Sequence, residues 1–572
     1  MRTARAARIL AVAAALTTVL TSTHPAGAST TATAVAYQGS TTHEGGSDDS
    51  VRAPLQRGWN RSFSGQLSYP VAADGLVFVT SGASSSVGTW LWALDESSGA
   101  TVWGPVDLGG AYIAGLAYDD GTVFTVNYYG VLRAFTAGTG AARWTTQLPG
   151  QWSFTSPPTA AGGMVYTSGA GSGGTLYGVS QADGSITWKA SVANGDHSSP
   201  AVTDTTVYVS YACNQAYAFD RLTGALQWHH NTFCSGGGGR TVAVHAGQVF
   251  TRDYFGNLVL DAATGAVLRS YSATVIPAFD GDTMVALNGS TLQGLGPDGT
   301  LRWSFTGDGS LSSAPVVSSG VAYVGSTRGS VFGVDTVTGR QVWSGSVGTA
   351  IAAPDEHNGW NLTGLAVADG HLLVPAGNTL TAFSEAGPII VATAAGTQGS
   401  NGWFTSHVVV HFTCTPGAQP LATACPSDVA LHQQGADQVV TGSVTDVAGR
   451  TASTSISVSI DTGAPTVALS NSAITIGNDV YGTAADKVSG IDQVTVTFTS
   501  AAGGVATVTA ELSECSSGPD GCRAWRASVP PGLLGLGPDG APTAWSGTVT
   551  AEARDVAGLT RATSPVQLVL LG

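Results

Sequence analysis

One short phrase recurs along the middle of the chain and limits its fold more than any other feature. Each copy is an alternating apolar stretch, a turn that ends in glycine, three further residues and, in most copies, a tryptophan. The turn glycines are Gly99, Gly140, Gly184, Gly224, Gly265, Gly299, Gly339 and Gly387. A period of about 40 residues with short strands and no helical periodicity is typical of a β-propeller.

A second recurring phrase places a β-hairpin before each tryptophan phrase. Residues 70–79 show a strand, an Asp-Gly turn and a second alternating strand, and residues 200–209 and 315–324 repeat this order. The two phrases together predict four strands in each unit, which is one propeller blade.

The ends of the repeat region predict how the ring closes. No tryptophan follows Gly387, and Trp59 stands alone before the first hairpin. A strand around Trp59 would complete the last blade and leave no open edge. We predict an all-β protein with an eight-bladed propeller. Seven blades is the alternative, because the spacing falls to 34 residues between Gly265 and Gly299.

The repeat resembles that of a known family. The copies ending at Trp228 and Trp343 read A-F-D-R-L-T-G-A-L-Q-W and G-V-D-T-V-T-G-R-Q-V-W. They are similar to the tryptophan-docking repeat A-x-D-x-x-T-G-x-x-x-W of the pyrroloquinoline-quinone-like propellers. The resemblance covers residues 58–388 and implies that the repeat tryptophans are structural, each stacked between neighbouring blades. These are Trp59, Trp103, Trp144, Trp188, Trp228, Trp303 and Trp343. Arg269 stands where the fifth copy would have its tryptophan.

After the propeller repeat, two segments of the tail echo each other. Residues 445–451 read T-D-V-A-G-R-T, and residues 554–560 read R-D-V-A-G-L-T. They resemble the D-x-A-G-N hairpin of bacterial immunoglobulin-like domains, with Arg450 and Leu559 in place of the final asparagine. The tail is therefore expected to form two immunoglobulin-like β-sandwiches, at residues 389–464 and 465–572.

The N-terminus has the form of a secretory signal peptide, over residues 1–28. Three arginines precede a twelve-residue apolar stretch, Ile9 to Leu20, and Ala26-Gly27-Ala28 offers a cleavage site. That stretch is shorter than the roughly 20 residues that span a bilayer, so we predict a secreted, extracellular protein without a membrane span. Residues 29–57 are rich in Ser, Thr and Gly and are expected to be a disordered linker. The formal charge of −15 argues against nucleic acid as a partner.

The six cysteines form three near-neighbour pairs in the sequence. In an exported chain such pairs predict three local disulfides. The expected bonds are Cys213–Cys234, Cys414–Cys425 and Cys515–Cys522.

A ligand site is expected where the chain enters the innermost strands, because these positions surround the mouth of the propeller channel. The polar residues there are His197, Arg240, Asp355, Glu356 and His357. The alternative is that they are solvated loop residues. We predict no metal site, since His197 and His357 belong to distant repeats.

These observations favour a secreted binding or scaffold protein over an enzyme. Its expected partner is a protein or a cell-surface glycan. Quinone enzymes of the family hold their cofactor beneath a ring made by two adjacent half-cystines, and this chain has no adjacent cysteines. We therefore predict no cofactor. The alternative is a secreted enzyme with its site at the channel mouth, either a quinone-dependent dehydrogenase or a glycan-active enzyme.

Overall fold

The computed structural model describes residues 34–47, 51–82, 89–110, 114–233, 239–356, 362–471, 473–535 and 544–571. Within these ranges the protein is built from β-strands, with a single 3-10 turn at Pro531–Leu533. None of its described helical segments is long and apolar enough to cross a bilayer. The expected signal peptide lies outside the described residues.

Among the described residues, eight sheets precede the tail. The first six are four-stranded antiparallel meanders of consecutive strands, and the seventh is such a meander with a short parallel strand added at its inner edge. Sheet 1 consists of Val71–Ala73, Leu76–Gly82, Thr89–Asp95 and Thr101–Asp107, and sheet 2 consists of Gly115–Asp119, Thr122–Val126, Val131–Thr136 and Ala142–Gln147. Sheet 3 consists of Thr159–Ala161, Met164–Ala170, Gly174–Ser180 and Ile186–Val192, and sheet 4 consists of Ala201–Val202, Thr206–Tyr211, Gln215–Asp220 and Leu226–His230. Sheet 5 consists of Ala243–His245, Gln248–Thr251, Asn257–Asp261 and Val267–Tyr271, and sheet 6 consists of Ala278–Asp280, Thr283–Asn288, Thr291–Leu295 and Leu301–Phe305. The meander of sheet 7 consists of Val316–Ser318, Val321–Gly325, Ser330–Asp335 and Gln341–Ser346.

Sheet 8 closes the ring with strands from both ends of the repeat region. Its first three strands are Ala366–Ala368, His371–Ala376 and Thr379–Glu385, and its outer strand is Leu55–Ser62. Trp59 pairs with Ala382 within it. The expectation that a strand around Trp59 completes the last sheet is confirmed by this pairing. The first strand of sheet 8 also contacts the first strand of sheet 1.

The first strand of each sheet lines a central channel. Because consecutive strands are antiparallel, their turns and connections lie alternately on two opposite faces of the propeller. The upper face carries the turns between second and third strands and the connections from each fourth strand to the next sheet. The lower face carries the other turns. The short spacing between Gly265 and Gly299 reflects short connections, because sheet 6 retains all four strands.

The repeat tryptophans connect each sheet to the next through backbone hydrogen bonds. Each indole Nε1 donates to a carbonyl oxygen of the following sheet at 2.6 to 3.0 Å: Trp59 to Glu96, Trp103 to Ala137, Trp144 to Gln181, Trp188 to Arg221, Trp228 to Ala262, Trp303 to Thr336 and Trp343 to Leu55. The repeat glycine is needed at the same contact. Gly140 has a φ of 68°, and a Cβ there would lie 2.6 Å from the Trp103 ring.

The segment of residues 34–47 differs from the disordered linker expected over residues 29–57. It follows the inner edges of the first strands around the channel, and Tyr37 and His43 are fully buried. First-strand N–H groups donate to its carbonyl oxygens, from Tyr118 to Val35, Val202 to Thr41, Val244 to Thr42, Phe279 to Glu44 and Val317 to Gly45. Gly46–Ser47 then pairs in parallel with sheet 7. The segment is ordered because it supplies acceptors for strand edges that would otherwise lack them. Below, residues 34–47 are called the channel segment.

The tail forms two units, each of two sheets around one core. The first contains Ile389–Ala395, Val408–Thr415 and Val429–Leu431 in one sheet and Trp403–Phe404, Gly435–Thr445 and Thr451–Ile460 in the other. The second contains Thr466–Leu469, Asp479–Ala485, Glu511–Glu514 and Cys522–Ser528, packed on Ile474–Ile476, Ile491–Ser500, Val505–Thr509, Trp545–Asp555, Thr560–Ala562 and Val566–Leu571. Disulfides join Cys414 to Cys425 and Cys515 to Cys522. The expected bond of Cys213 involves Cys234, which lies outside the described residues.

Candidate functional site

A cavity of about 400 Å³ opens on the upper face at the mouth of the channel, beside sheets 5 to 8. Its walls come from the connections that enter the first strands and from the turn between the second and third strands of sheet 6. The lining residues are Arg240, Thr274, Val275, Leu287, Gly289, Leu311, Ser312, Ala353, Pro354, Asp355 and Glu356. The strand connections of four neighbouring sheets therefore build one concave site.

Three of the five residues expected at this site line the cavity. Arg240 comes from the connection into sheet 5, and Asp355 and Glu356 come from the connection into sheet 8. His197 does not line it. It is nearly buried at the connection into sheet 4, where its Nδ1 lies 3.0 Å from the Thr155 hydroxyl. His357 lies outside the described residues.

A buried ion pair lies at one side of the cavity, where Glu356 forms part of the wall. Arg252 follows the second strand of sheet 5, and its Nη2 lies 2.5 Å from Oε2 of Glu356. Both residues are almost completely buried. Burial by itself would lower the pKa of the Arg252 guanidinium, but the adjacent carboxylate holds that pKa above its usual value. The two charges therefore compensate each other in a region with little water.

The hydrogen-bonding capacity of this pair is only partly used. Within the described part of the chain, Nε and Nη1 of Arg252 and Oε1 of Glu356 have no hydrogen-bond partner. Buried polar atoms without partners are costly, so such atoms beside a cavity favour a site that binds water or a polar ligand group.

Below the cavity the channel is filled by the protein itself. Tyr37 of the channel segment packs against Tyr69 with ring centroids 5.3 Å apart. Burial, and then the negative charge of Glu356, raise the pKa of the Tyr37 hydroxyl. Gln38 reaches across to the Pro315 carbonyl at 3.2 Å. A ligand that enters from the upper face meets Glu356, which lines the cavity and is paired with the buried Arg252 behind it.

Exposed aromatic side chains extend the site across the upper face. Five of them lie on sheets 2 to 5 and are between 54% and 94% exposed: Tyr129, Trp152, Phe233, Tyr254 and Phe255. All five are in turns between second and third strands or in connections between sheets. These five side chains are called the aromatic arc below. Among the described propeller residues, every exposed large aromatic side chain belongs to it.

The aromatic arc is presented by local backbone structure. The Trp152 ring lies against Gly171, where an added Cβ would be 2.3 Å from the indole. Tyr254 and Phe255 are adjacent in the turn that follows Arg252, and their rings meet edge to face at 5.7 Å. The arc and the ion pair are thus connected through a single turn of sheet 5.

A second cavity, of about 590 Å³, opens at the lower mouth. Glu44 of the channel segment lies there, with Oε2 at 2.7 Å from Nδ1 of His245. The hydrogen bond to Glu44 raises the pKa of His245. His245 also stacks on Phe279 at 4.4 Å. This cavity is walled by the channel segment and by the hairpins of sheets 5 to 7.

The residues present do not fit pyrroloquinoline quinone, a planar anion with several carboxylates. The cation in the walls of the upper cavity is Arg240, and the charge of the nearby Arg252 is already compensated by Glu356. The repeat tryptophans are held between sheets by their hydrogen bonds, and none of them lines the upper cavity.

Sequence reasoning missed the most informative residues of this face. Arg252 was overlooked, although an arginine directly after a buried alternating strand is an unusual placement. The aromatic pairs Tyr128-Tyr129 and Tyr254-Phe255 were also overlooked, although adjacent aromatic residues in turns are a visible signal.

The sequence profile of one family matches the chain, over residues 88–236 and 214–412, which together exceed half its length. The family is described as outer membrane protein assembly factor BamB. No curated protein matches the chain as a relative.

Several solved structures are similar to this one. BamB from Moraxella catarrhalis is 19% identical with a TM-score of 0.45, and the match covers 58% of this chain and 98% of that one. A quinohemoprotein alcohol dehydrogenase from Comamonas testosteroni is 15% identical with a TM-score of 0.49, with 62% and 80% covered. A europium-containing methanol dehydrogenase is 13% identical with a TM-score of 0.48, with 62% and 98% covered.

Proposed function

The chain belongs to the family of the outer membrane protein assembly factor BamB, and we propose that it is a secreted, non-catalytic binding protein that docks a polypeptide on its upper face. The aromatic arc is the observation that carries this proposal. Exposed aromatic residues are enriched where proteins bind one another, because a large rigid ring loses little entropy on burial. The name of the family refers to assembly of other proteins, which agrees with a polypeptide partner.

The size of the arc supports a macromolecular partner. An aromatic side chain buries about 150–250 Å². Five such side chains can supply most of the roughly 800 Å² per partner that a standard protein interface buries. Because the arc spans four consecutive sheets, it suits a broad surface or an extended segment better than a small molecule.

The upper cavity gives the proposed interface its polar part. Backbone or side-chain groups of a docked segment can reach Arg240, Asp355 and Glu356 in the walls of the cavity. An apolar arc beside a polar cavity provides specificity, because a partner must match both.

The tail is proposed to consist of two immunoglobulin-like spacers that present the propeller away from its point of attachment. The disulfides of both units agree with an oxidising, extracellular setting.

Panning a phage-displayed random peptide library on the mature chain tests the proposal, with a glycan array as the second arm. The matched variants are a triple alanine substitution of Trp152, Tyr254 and Phe255, and a double alanine substitution of Leu222 and Val337, which are exposed on the lower face. We expect peptides that bind the wild type and the lower-face variant and lose binding to the upper-face variant. Binding of glycans without enrichment of any peptide would contradict the proposal. Peptides that bind the upper-face variant as well as they bind the wild type would also contradict it.

The quinone-dehydrogenase alternative is tested separately by dye-linked oxidation of alcohols and sugars in the presence of pyrroloquinoline quinone and calcium. We expect no substrate-dependent dye reduction. Reduction that disappears on chelation of calcium would restore that alternative.

A further inference from the structure

The two D-V-A-G loops of the tail have the same backbone structure. In the first, the N–H of Arg450 donates to Oδ1 of Asp446 at 2.9 Å, and in the second the N–H of Leu559 donates to Oδ1 of Asp555 at 2.8 Å. The return bonds also match, from Asp446 N–H to the Arg450 carbonyl and from Asp555 N–H to the Leu559 carbonyl, both at 3.0 Å. Arg450 and Leu559 therefore occupy equivalent positions.

In the first loop, the arginine at this position neutralises two carboxylates. Nε of Arg450 lies 2.8 Å from Oδ2 of Asp446, and its Nη2 lies 3.2 Å from Oε2 of Glu385. Glu385 ends the last propeller strand before the first tail unit begins. The guanidinium thus links the propeller to the hairpin loop of the first unit.

In the second loop, leucine replaces the cation while the carboxylates increase in number. Asp461 comes directly after the last strand of the first unit, and Glu385 is the final residue of the last propeller strand, so the two carboxylates hold similar places along the chain. Asp461, Asp486 and Asp555 each place a carboxylate oxygen within 4.8 Å of the others, and all three residues are buried. No ion pair joins any of the three to a cation among the described residues.

One oxygen in this cluster is left without a partner. Asp555 is 0% exposed, and its Oδ2 has no hydrogen-bond partner in the described part of the chain. Both carboxylate oxygens of Asp461 accept backbone N–H bonds, from Gly463 and Ser489, and Oδ1 of Asp486 accepts three.

We propose that Asp461, Asp486 and Asp555 bind one Ca²⁺ ion, which takes the place that the Arg450 guanidinium occupies in the first loop. Oxygens that bind the same calcium at about 2.3–2.6 Å lie no more than about 5 Å apart, and the cluster meets this limit. An all-oxygen, triply charged donor set suits a hard cation, and the flexible coordination of calcium accepts carboxylates already fixed by the backbone.

The site links the two tail units, because Asp461 leaves the first and Asp486 and Asp555 belong to the second. Its occupancy would fix their joint as Arg450 fixes the joint between the propeller and the first unit. Extracellular calcium modules bind with a Kd of about 10⁻⁴–10⁻³ M, so the joint is expected to stiffen at millimolar calcium. The site departs from the prediction of no metal, which did not consider the aspartates of the tail.

The test uses the full mature chain and compares calcium, magnesium and EDTA. We expect equilibrium dialysis with ⁴⁵Ca to find one ion per chain at millimolar calcium, and differential scanning calorimetry to find a Tm that rises with millimolar CaCl₂ and not with MgCl₂. Leu559→Arg should abolish both calcium effects and raise the Tm in EDTA, since it supplies the missing guanidinium. Asp555→Asn should abolish calcium binding without adding a cation.

The matched control is Asp492→Asn, which removes an exposed carboxylate of the same unit that pairs with Arg554 outside the cluster. It should keep the bound calcium. Calcium binding that survives Leu559→Arg or Asp555→Asn, or that is lost in the control, overturns the proposal, as does a wild-type chain that binds none. An equal response to magnesium overturns the assignment to calcium. Circular dichroism checks that each variant is folded. If Leu559→Arg does not fold, the result for Asp555→Asn decides the test.

Discussion

Arg269 donates a hydrogen bond from Nη2 to the carbonyl oxygen of Pro297 at 2.8 Å. Pro297 occupies the same place in the turn of sheet 6 as Thr336 does in the turn of sheet 7. At Thr336, the carbonyl oxygen accepts the hydrogen bond from the indole of Trp303. Arg269 therefore makes the inter-sheet bond that tryptophan makes at the other junctions. It also lies 5.8 Å from the centre of the Phe250 ring. The junction between sheets 5 and 6 keeps the hydrogen bond of the repeat without the indole.

We predict that two substitutions of Arg269 have opposite effects on the free energy of unfolding. A small cavity of about 60 Å³ lies beside Arg269, Phe250 and Pro297, and a Cβ at Gly299 would touch nothing within 4 Å. Arg269→Trp should fill this space and raise the free energy of unfolding by about 1 kcal/mol. Arg269→Ala should lower it by about 1–2 kcal/mol through loss of the bond. Urea unfolding measures both, and a destabilising tryptophan would show that the junction is adapted to arginine.

The channel segment is expected to be essential for stability. A chain that begins at Gly46 loses the carbonyl acceptors of the first strands, at about 1 kcal/mol per hydrogen bond, together with the buried ring of Tyr37. Its Tm should fall well below that of a chain that begins at Ala34. Hydrogen exchange should rise at Val202, Val244 and Phe279. Equal melting temperatures for the two chains would mean that the segment does not hold the ring together.

His43 is expected to make stability depend on pH. Its Nδ1 lies 3.2 Å from the Val242 carbonyl, and burial lowers its pKa to about 4. The unfolded chain, with an ordinary histidine pKa near 6.5, binds the proton first as pH falls. The contribution of His43 is therefore complete above pH about 6.5 and is lost towards pH about 4, at up to about 1.4 kcal/mol per pH unit.

His43→Asn should be less stable than wild type at neutral pH and show a flatter profile over that interval. His407→Asn, an exposed residue of the tail, is the control and should keep the wild-type slope. Unfolding followed by tryptophan fluorescence at several pH values measures the difference. Parallel profiles for wild type and His43→Asn would assign the pH dependence to other groups.

Peptide mapping without reduction should find Cys213 joined to Cys234. The other four cysteines form disulfides within their own tail units, so Cys213 and Cys234 are the two that remain to bond with each other. A peptide that links Cys213 to the tail would contradict the separation of propeller and tail units.

The repeat spacing predicted the sheets because each copy encodes its own hairpins, its turn glycine and its tryptophan. The mouth residues Arg240, Asp355 and Glu356 were predicted from the same register, since the connections that lead into the first strands of sheets 5 to 8 build the walls of the upper cavity. His197 shares that position but is drawn into a contact with Thr155, which only the packing of neighbouring connections determines.

The channel segment and the acidic cluster could not be predicted in this way. Residues 34–47 have the composition of a linker, and they are ordered only because the assembled ring presents a circle of unsatisfied strand edges. Asp461, Asp486 and Asp555 are far apart in sequence and meet only when the second tail unit folds. Both features depend on long-range contacts that no local pattern records.

The affinity of a peptide selected on the wild-type protein measures the central claim most directly. Fluorescence anisotropy should give a Kd at least about tenfold higher for the Trp152, Tyr254 and Phe255 triple alanine variant, since the loss of buried aromatic anchors costs about 2 kcal/mol or more. The Leu222 and Val337 double variant should bind as the wild type does. Equal Kd values for all three proteins would contradict docking on the upper face.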